Sequence, residues 1–125
     1  RLFTEWINNT ELSVQTQTTK QKASFTQEVE HFLLANYSQD IKISDIAYKY
    51  NVSERLLNLK FKKDLGVSPK QFLTQQRINT AKGHLLNTDY TISQISMMCG
   101  FSSPAYFTFY FKKALGKTPK EFRRG

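Results

Sequence analysis

From Ser24 onward the apolar residues recur three and four positions apart, without the alternation that a half-buried strand needs. Phe25, Val29, Phe32 and Leu33 form the first stripe. Ser24 and Gln27 open it at capping-box spacing, which predicts a helix through Tyr37. Ile46, Ala47 and Tyr50 predict a short helix capped by Ser44, followed by a turn at Asn51. Leu57 and Phe61 lie on a third helix, capped by Ser53 and stopped by Gly66 after Leu65, because glycine enters the left-handed cap at little steric cost. Ser68, Pro69 and Gln71 combine a cap, a proline at the first helical position and a capping box. They start a helix to about Asn87, roughly 19 residues and ~28 Å long. Phe72, Ile78, Ala81 and Leu85 fall near one face of it, and Gly83 weakens it by about 1 kcal/mol relative to alanine. The same grammar then repeats. Ser93 caps a short helix, Gly100 turns, Ser103-Pro104 opens a helix to Gly116, and Thr118-Pro119 with Glu121 starts a last one. The pattern predicts an all-α chain of about seven helices.

The repetition is literal. FKKDLGVSPKQF at 61–72 and FKKALGKTPKEF at 111–122 agree at eight of twelve positions. Upstream, Ile43, Ser44 and Ile46 correspond to Ile92, Ser93 and Ile95 at an offset of 49. The offset becomes 50 from Leu57 and Phe107, so the second copy carries one extra residue near Pro104. A duplicated unit of this size implies two small lobes that share a connecting element. Within each unit, a short helix, a residue able to take positive φ (Asn51 or Gly100) and a second capped helix make a helix-turn-helix. In that motif the second helix lies in the DNA major groove. Two copies joined by a ~28 Å helix would reach groove segments about one DNA turn, ~34 Å, apart.

Charge sharpens this picture. The 125 residues carry a formal net charge of +8, but residues 1–40 hold 3 basic and 5 acidic groups while residues 41–125 hold 15 and 5. The basic part points to a polyanion, with nucleic acid ahead of a membrane surface. No apolar run approaches the length of a membrane span. Cys99 is the single cysteine, which excludes an intrachain disulfide and fits a reducing cytoplasm. Residues 1–23 read as a separate segment: Leu2, Phe3, Trp6 and Ile7 share one side of a short stretch, and 13–22 is a polar linker. With Arg1 first, they suggest the remnant of an upstream region.

Helical spacing divides the faces of each second helix. Leu57 and Phe61, like Phe107 and Phe111, are expected in the core. Arg55, Asn58, Leu59 and Lys62 form the opposite stripe in the first copy, and Ala105, Thr108, Phe109 and Lys112 in the second. Arg55, Asn58, Leu59, Ala105, Thr108 and Phe109 are the candidate base or groove contacts. Lys62, Lys63, Lys112 and Lys113 are the candidate phosphate contacts, which fix register without reading sequence. Leu59 and Phe109 have an alternative place, buried by a small rotation of their helix.

Other chemistry is not expected. Gly116-Lys117-Thr118 resembles the end of a phosphate-binding loop, but Phe111 stands where that loop requires glycine. His31 and His84 lack metal-ligand spacing, Cys99 reads as a buried small hydrophobe, and no nucleophile-base pair stands out. Neither enzyme activity, metal nor cofactor is expected.

Ile92–Ile95 (ISQI), CGFSSPAYF at 99–107, FKKALGKTP at 111–119, Phe122-Arg123 and RINTAKGHLL at 77–86 resemble the DNA-binding domain of AraC/XylS-type bacterial transcription regulators. The resemblance covers about residues 26–124. It implies a first lobe at about 24–68, a connecting helix at 69–87 and a second lobe at 88–125, bound to adjacent major-groove segments of double-stranded DNA. It also implies control of transcription through RNA polymerase, directed by a separate sensing or dimerisation domain. Where the family very often carries a groove-facing arginine, this chain has Leu59 and Phe109, which removes the usual guanine-reading group from both copies. The alternatives are a non-specific or architectural DNA binder, or a protein-interaction module of a larger sensor.

Overall fold

Both twelve-residue repeats close their lobes in the same way. In the computed structural model, which describes residues 24–125, Phe61 packs edge-on against Phe72 with ring centroids 5.5 Å apart. Phe111 packs against Phe122 in the same manner at 5.4 Å. Between the two rings of each pair the chain makes a tight reversal. Gly66 at φ 81° and Gly116 at φ 80° are left-handed caps whose N–H groups donate to Lys62 O and Lys112 O at 2.8 Å. Ser68 and Thr118 then cap the next helices, with Gln71 and Glu121 returning the second bond of the box. Pro69 and Pro119 are buried at the first helical position. One buried phenylalanine, one half-buried phenylalanine packed on it and a buried proline per lobe explain why these positions are duplicated; at ~25 cal/mol per Å² of apolar surface, a fully buried phenylalanine contributes about 2 kcal/mol.

The described residues form seven helices and no strand: α1 (Phe25–Asn36), α2 (Ile43–Lys49), α3 (Glu54–Leu65), α4 (Pro69–Asn87), α5 (Ile92–Met98), α6 (Pro104–Leu115) and α7 (Pro119–Arg124). The apolar segment 2–7 and the linker 13–22 lie outside the described residues. Two cores flank α4. Val29, Leu33, Ile46, Ala47, Leu57, Phe61 and Leu73 make the first. Ile78, Ala81, Leu85, Ile95, Cys99, Phe101, Phe107 and Phe111 make the second. The long helix therefore serves as a wall for both lobes, its first turns facing one core and its later turns the other.

Three local expectations need correcting. Ser44 and Ser93 do not cap α2 and α5; both lie inside the first turn. Lys42 is the N-cap of α2, its N–H donating to the Asp45 carboxylate at 3.3 Å. Thr91 is the N-cap of α5, in a full capping box with Gln94. Each cap lies two residues before the serine: the Thr91 hydroxyl accepts from Gln94 N at 3.0 Å, whereas Lys42 makes no side-chain cap bond, and the start of α2 is held by the bond from its own N–H to Asp45. On α4 the side chain filling the first core is Leu73, while Phe72 is half-buried at its edge, in the pair with Phe61.

Among the described residues one buried hydroxyl has no partner. Ser96 is completely buried in α5, and its hydroxyl makes no hydrogen bond to any of them. At the repeat-equivalent position of α2 stands Ala47, also buried. An unsatisfied buried hydroxyl costs about 1–3 kcal/mol, and alanine is the better helix former. Ser96→Ala is expected to raise stability by about 1 kcal/mol, read as a higher urea midpoint at unchanged m-value. A lower midpoint would mean that the hydroxyl has a partner in solution.

Candidate nucleic-acid interface

The two helix-turn-helix units are α2–α3 and α5–α6. Each turn is closed by a pair of backbone bonds. Asn51 N donates to Tyr48 O and Val52 N to Ala47 O; Gly100 N donates to Met97 O and Phe101 N to Ser96 O, all at 3.0–3.1 Å. Asn51 takes φ 57° and Gly100 φ 93°, the positive values that the turn requires.

Both second helices start on a serine cap, the Ser53 hydroxyl accepting from Leu56 N at 3.0 Å and the Ser103 hydroxyl from Tyr106 N at 3.1 Å. Their core faces are fixed by Leu57 with Phe61 and by Phe107 with Phe111, all fully buried. The opposite face then follows from helix geometry. Arg55, Asn58, Leu59, Lys62 and Lys63 are exposed on α3; Ala105, Phe109, Lys112 and Lys113 are exposed on α6, and Thr108 is half-buried. Leu59 and Phe109 are 59% and 60% exposed, so the rotated, buried alternative for them does not occur. The Phe109 ring is braced edge-on by Tyr110 at 5.1 Å, and Lys113 Nζ stands 6.0 Å from the Tyr110 ring centre.

In the duplicated segment, the phenylalanines, glycines and prolines are all accounted for by the fold. The lysine pairs are not: Lys62, Lys63, Lys112 and Lys113 are exposed, and their side chains make no hydrogen bond among the described residues. Lying in the last turns of α3 and α6, they gain only the modest attraction of a helix C-terminus, about 0.3–1 kcal/mol. Lys70 and Lys120 are duplicated with the same segment and exposed in the first turns of α4 and α7. They are not among the candidate contacts above, although their identity in both repeats is visible in the sequence.

Arg77 and Arg123, which the sequence shows within RINTAKGHLL and Phe122-Arg123 without indicating their partners, hold the helices together. Arg77, on α4, donates from Nε to Tyr37 O at 2.7 Å and from its terminal nitrogen to Gln39 O at 2.8 Å, tying α4 to the end of α1. Its guanidinium also stands 6.0 Å from the Phe101 ring centre, in the second core. Burial lowers its pKa, with Asp40 pulling the other way. Gly100 sits against the same place. A Cβ there would come within 2.6 Å of Tyr37 O and 3.0 Å of Arg77 Nε. The turn of the second helix-turn-helix thus presses directly on the end of the first lobe's α1. Arg123 makes a comparable clamp, donating to Leu85 O and Thr88 O at 3.1 Å, and ties α7 to the end of α4.

Burial pushes the Cys99 thiol up to about 11, against a smaller opposing pull from Arg77, so it stays protonated at neutral pH. His84 is half-buried edge-on to Tyr90 at 5.9 Å, and His31 is exposed. Among the described residues no three His, Cys, Asp or Glu side chains cluster to hold a metal, and no helix is long and apolar enough to cross a membrane.

Two capped, similarly exposed second helices in one chain, joined through α4 and the contacts of Arg77, define a double helix-turn-helix domain. Residues 46–125 match the helix-turn-helix domain family, and the chain belongs to the AraC-type branch of that family. The transcriptional activator RhaS of Pectobacterium carotovorum is 29% identical over 109 residues, covering 87% of this chain and 39% of that protein. An AraC-type regulator from Chromobacterium violaceum, of known structure, is 35% identical with a TM-score of 0.68, over 78% of this chain and 87% of that one. The DNA-binding domain of the global transcription factor AdpA, solved with a target DNA, is 26% identical with a TM-score of 0.76, over 82% and 92%. The chain spans 39% of the length of RhaS and 24% of that of the Escherichia coli xylose operon regulatory protein.

Proposed function

We propose that residues 24–125 form a DNA-binding unit that places α3 and α6 in two adjacent major-groove segments on one face of the duplex. The carrying observation is the duplicated, exposed and lysine-flanked face opposite a fully buried pair in each second helix. Arg55 and Asn58 supply the hydrogen-bonding groups suited to guanine and adenine edges. Thr108, with Ala105 beside it, lines the corresponding face of α6, where the small Ala105 side chain permits close approach to the groove. Lys62, Lys63, Lys112 and Lys113 lie against the flanking phosphates and fix the register. The RhaS and xylose-operon relatives are named as regulators, which supports a role in bacterial transcription. Because the relatives are longer, the intact protein is read as carrying a sensing or dimerisation region upstream, with 1–23 as its edge, and as acting through RNA polymerase in the cytoplasm. The unit itself has no part in catalysis.

Hydroxyl-radical footprinting on a duplex obtained by in vitro selection tests this reading. Two protected segments about ten base pairs apart on one face are expected. One protected segment, or protection independent of sequence, would overturn it; the second result would favour a non-specific binder.

A further inference from the structure

Leu59 and Phe109 stand where an amphipathic helix should be most polar. At about 100° per residue, each lies roughly 180° from the centre of its buried pair, Leu57 with Phe61 or Phe107 with Phe111. All four of those partners are fully buried, while Leu59 and Phe109 are 59% and 60% exposed. Large apolar residues are exposed elsewhere too, Tyr48 and Met97 among them, and single ones need no explanation. Leu59 and Phe109 differ in their surroundings. They are repeat-equivalent, they form the crest of the face that carries Arg55, Asn58, Lys62 and Lys112, and on the reading above they point at base edges. A purely phosphate-binding face would gain nothing from them.

An apolar side chain has one favourable target on the floor of the major groove, the thymine 5-methyl group. The purine N7, O6 and N6, thymine O4 and cytosine N4 groups beside it are hydrogen-bond donors or acceptors, and covering one with carbon leaves it unsatisfied. We infer that Leu59 and Phe109 are specificity-determining residues, each reading a thymine methyl in the major groove. The two thymines lie about ten base pairs apart, one under each helix. The inference rests on the groove placement of α3 and α6 proposed above. It also predicts an asymmetric site. Arg55 and Asn58 add guanine or adenine selection beside the first thymine, whereas the candidate contacts of the second helix, Ala105, Thr108 and Phe109, include no such bidentate group and favour a stretch rich in A·T pairs.

Deoxyuridine separates the methyl from everything else, because it pairs as thymidine does and lacks only that group. The selected duplex is prepared with deoxyuridine replacing each thymidine in turn, and affinities are measured at one salt concentration for the wild type, Leu59→Ala and Phe109→Ala. Both positions are exposed, so the variants keep the fold, which their denaturation midpoints check. In the wild type, deoxyuridine is expected to weaken binding about three- to five-fold at one position under each helix, the worth of one buried methyl. Leu59→Ala should abolish the effect at the first position only, and Phe109→Ala at the second only. Binding with no deoxyuridine effect, or an effect that survives in both alanine variants, overturns the inference and leaves the DNA-binding reading intact. Failure of the wild type to bind any duplex even at low salt overturns both.

Discussion

Gly100→Val should destabilise the second lobe by about 3 kcal/mol or more, whereas Asn51→Gly at the equivalent turn should be nearly neutral. Two costs coincide at Gly100. Its φ of 93° is one that side-chain-bearing residues rarely adopt, at about 1–3 kcal/mol, and most for a β-branched one. Its missing Cβ is also the space that Tyr37 O occupies, 2.6 Å from where a Cβ would stand. That neighbour is backbone at the end of α1, held by Arg77, and cannot swing aside as a flexible side chain would. Overpacking of this kind adds about 1–3 kcal/mol. Gly66 separates the two costs. It has a similar φ of 81°, yet a Cβ there would meet nothing within 4 Å. Gly66→Ala should therefore show strain alone, and Gly100→Ala strain plus clash. Urea midpoints of the four variants check this. If Gly100→Ala were no more damaging than Gly66→Ala, the contact between the lobes would be soft rather than a fixed junction.

That junction also shows where sequence reading stops. Helices here are announced by neighbours three or four apart, and caps such as Ser68 with Gln71 or Ser103 with Pro104 are local, so α1, α3, α4, α6 and α7 are legible to within a residue. Ser44 and Ser93 mislead because a serine shortly before the first core residue, here Ile46 or Ile95 two positions on, resembles a cap. The real signals, Lys42 with Asp45 and Thr91 with Gln94, lie two positions earlier. The apolar position of α4 falls on Leu73 rather than Phe72 because α4 changes cores partway along, and no single stripe describes a helix that serves two. Arg77 and Tyr37 are 40 residues apart, and nothing periodic links them. The same holds for Thr26, buried at the start of α1, whose hydroxyl donates to Asp64 at 2.6 Å. Gly100 is recognisable as a turn residue from its type, but its second reason for being glycine comes from a segment far away in the chain. The exposed stripes are legible for the opposite reason: the core pairs fix the rotation of α3 and α6, and their outer faces follow.

Replacing Lys62, Lys63, Lys112 and Lys113 together by alanine should weaken DNA binding on the order of a thousandfold at 0.1 M salt, with little dependence on DNA sequence. Each phosphate neutralised releases a condensed counterion, so the logarithm of the binding constant falls with log salt at a slope of about −0.9 per phosphate. Removing four such charges would reduce the steepness of that slope by up to about 4, and at 0.1 M each is worth somewhat less than tenfold. The rival explanation is local. All four lysines lie in the last turns of α3 and α6, where they interact favourably with the helix dipole. On that account the variant would lose some stability, and its salt slope would not change. The two measurements separate cleanly, since a denaturation midpoint senses the dipole and a salt titration of binding senses the phosphates. Single variants should each change the slope by up to about 1 and weaken all duplexes alike, unlike Arg55→Ala, which should also relax selection at one base pair. An unaltered slope in the quadruple variant would remove these lysines from the interface and leave their duplication, in a segment where most other identities serve packing, without a role.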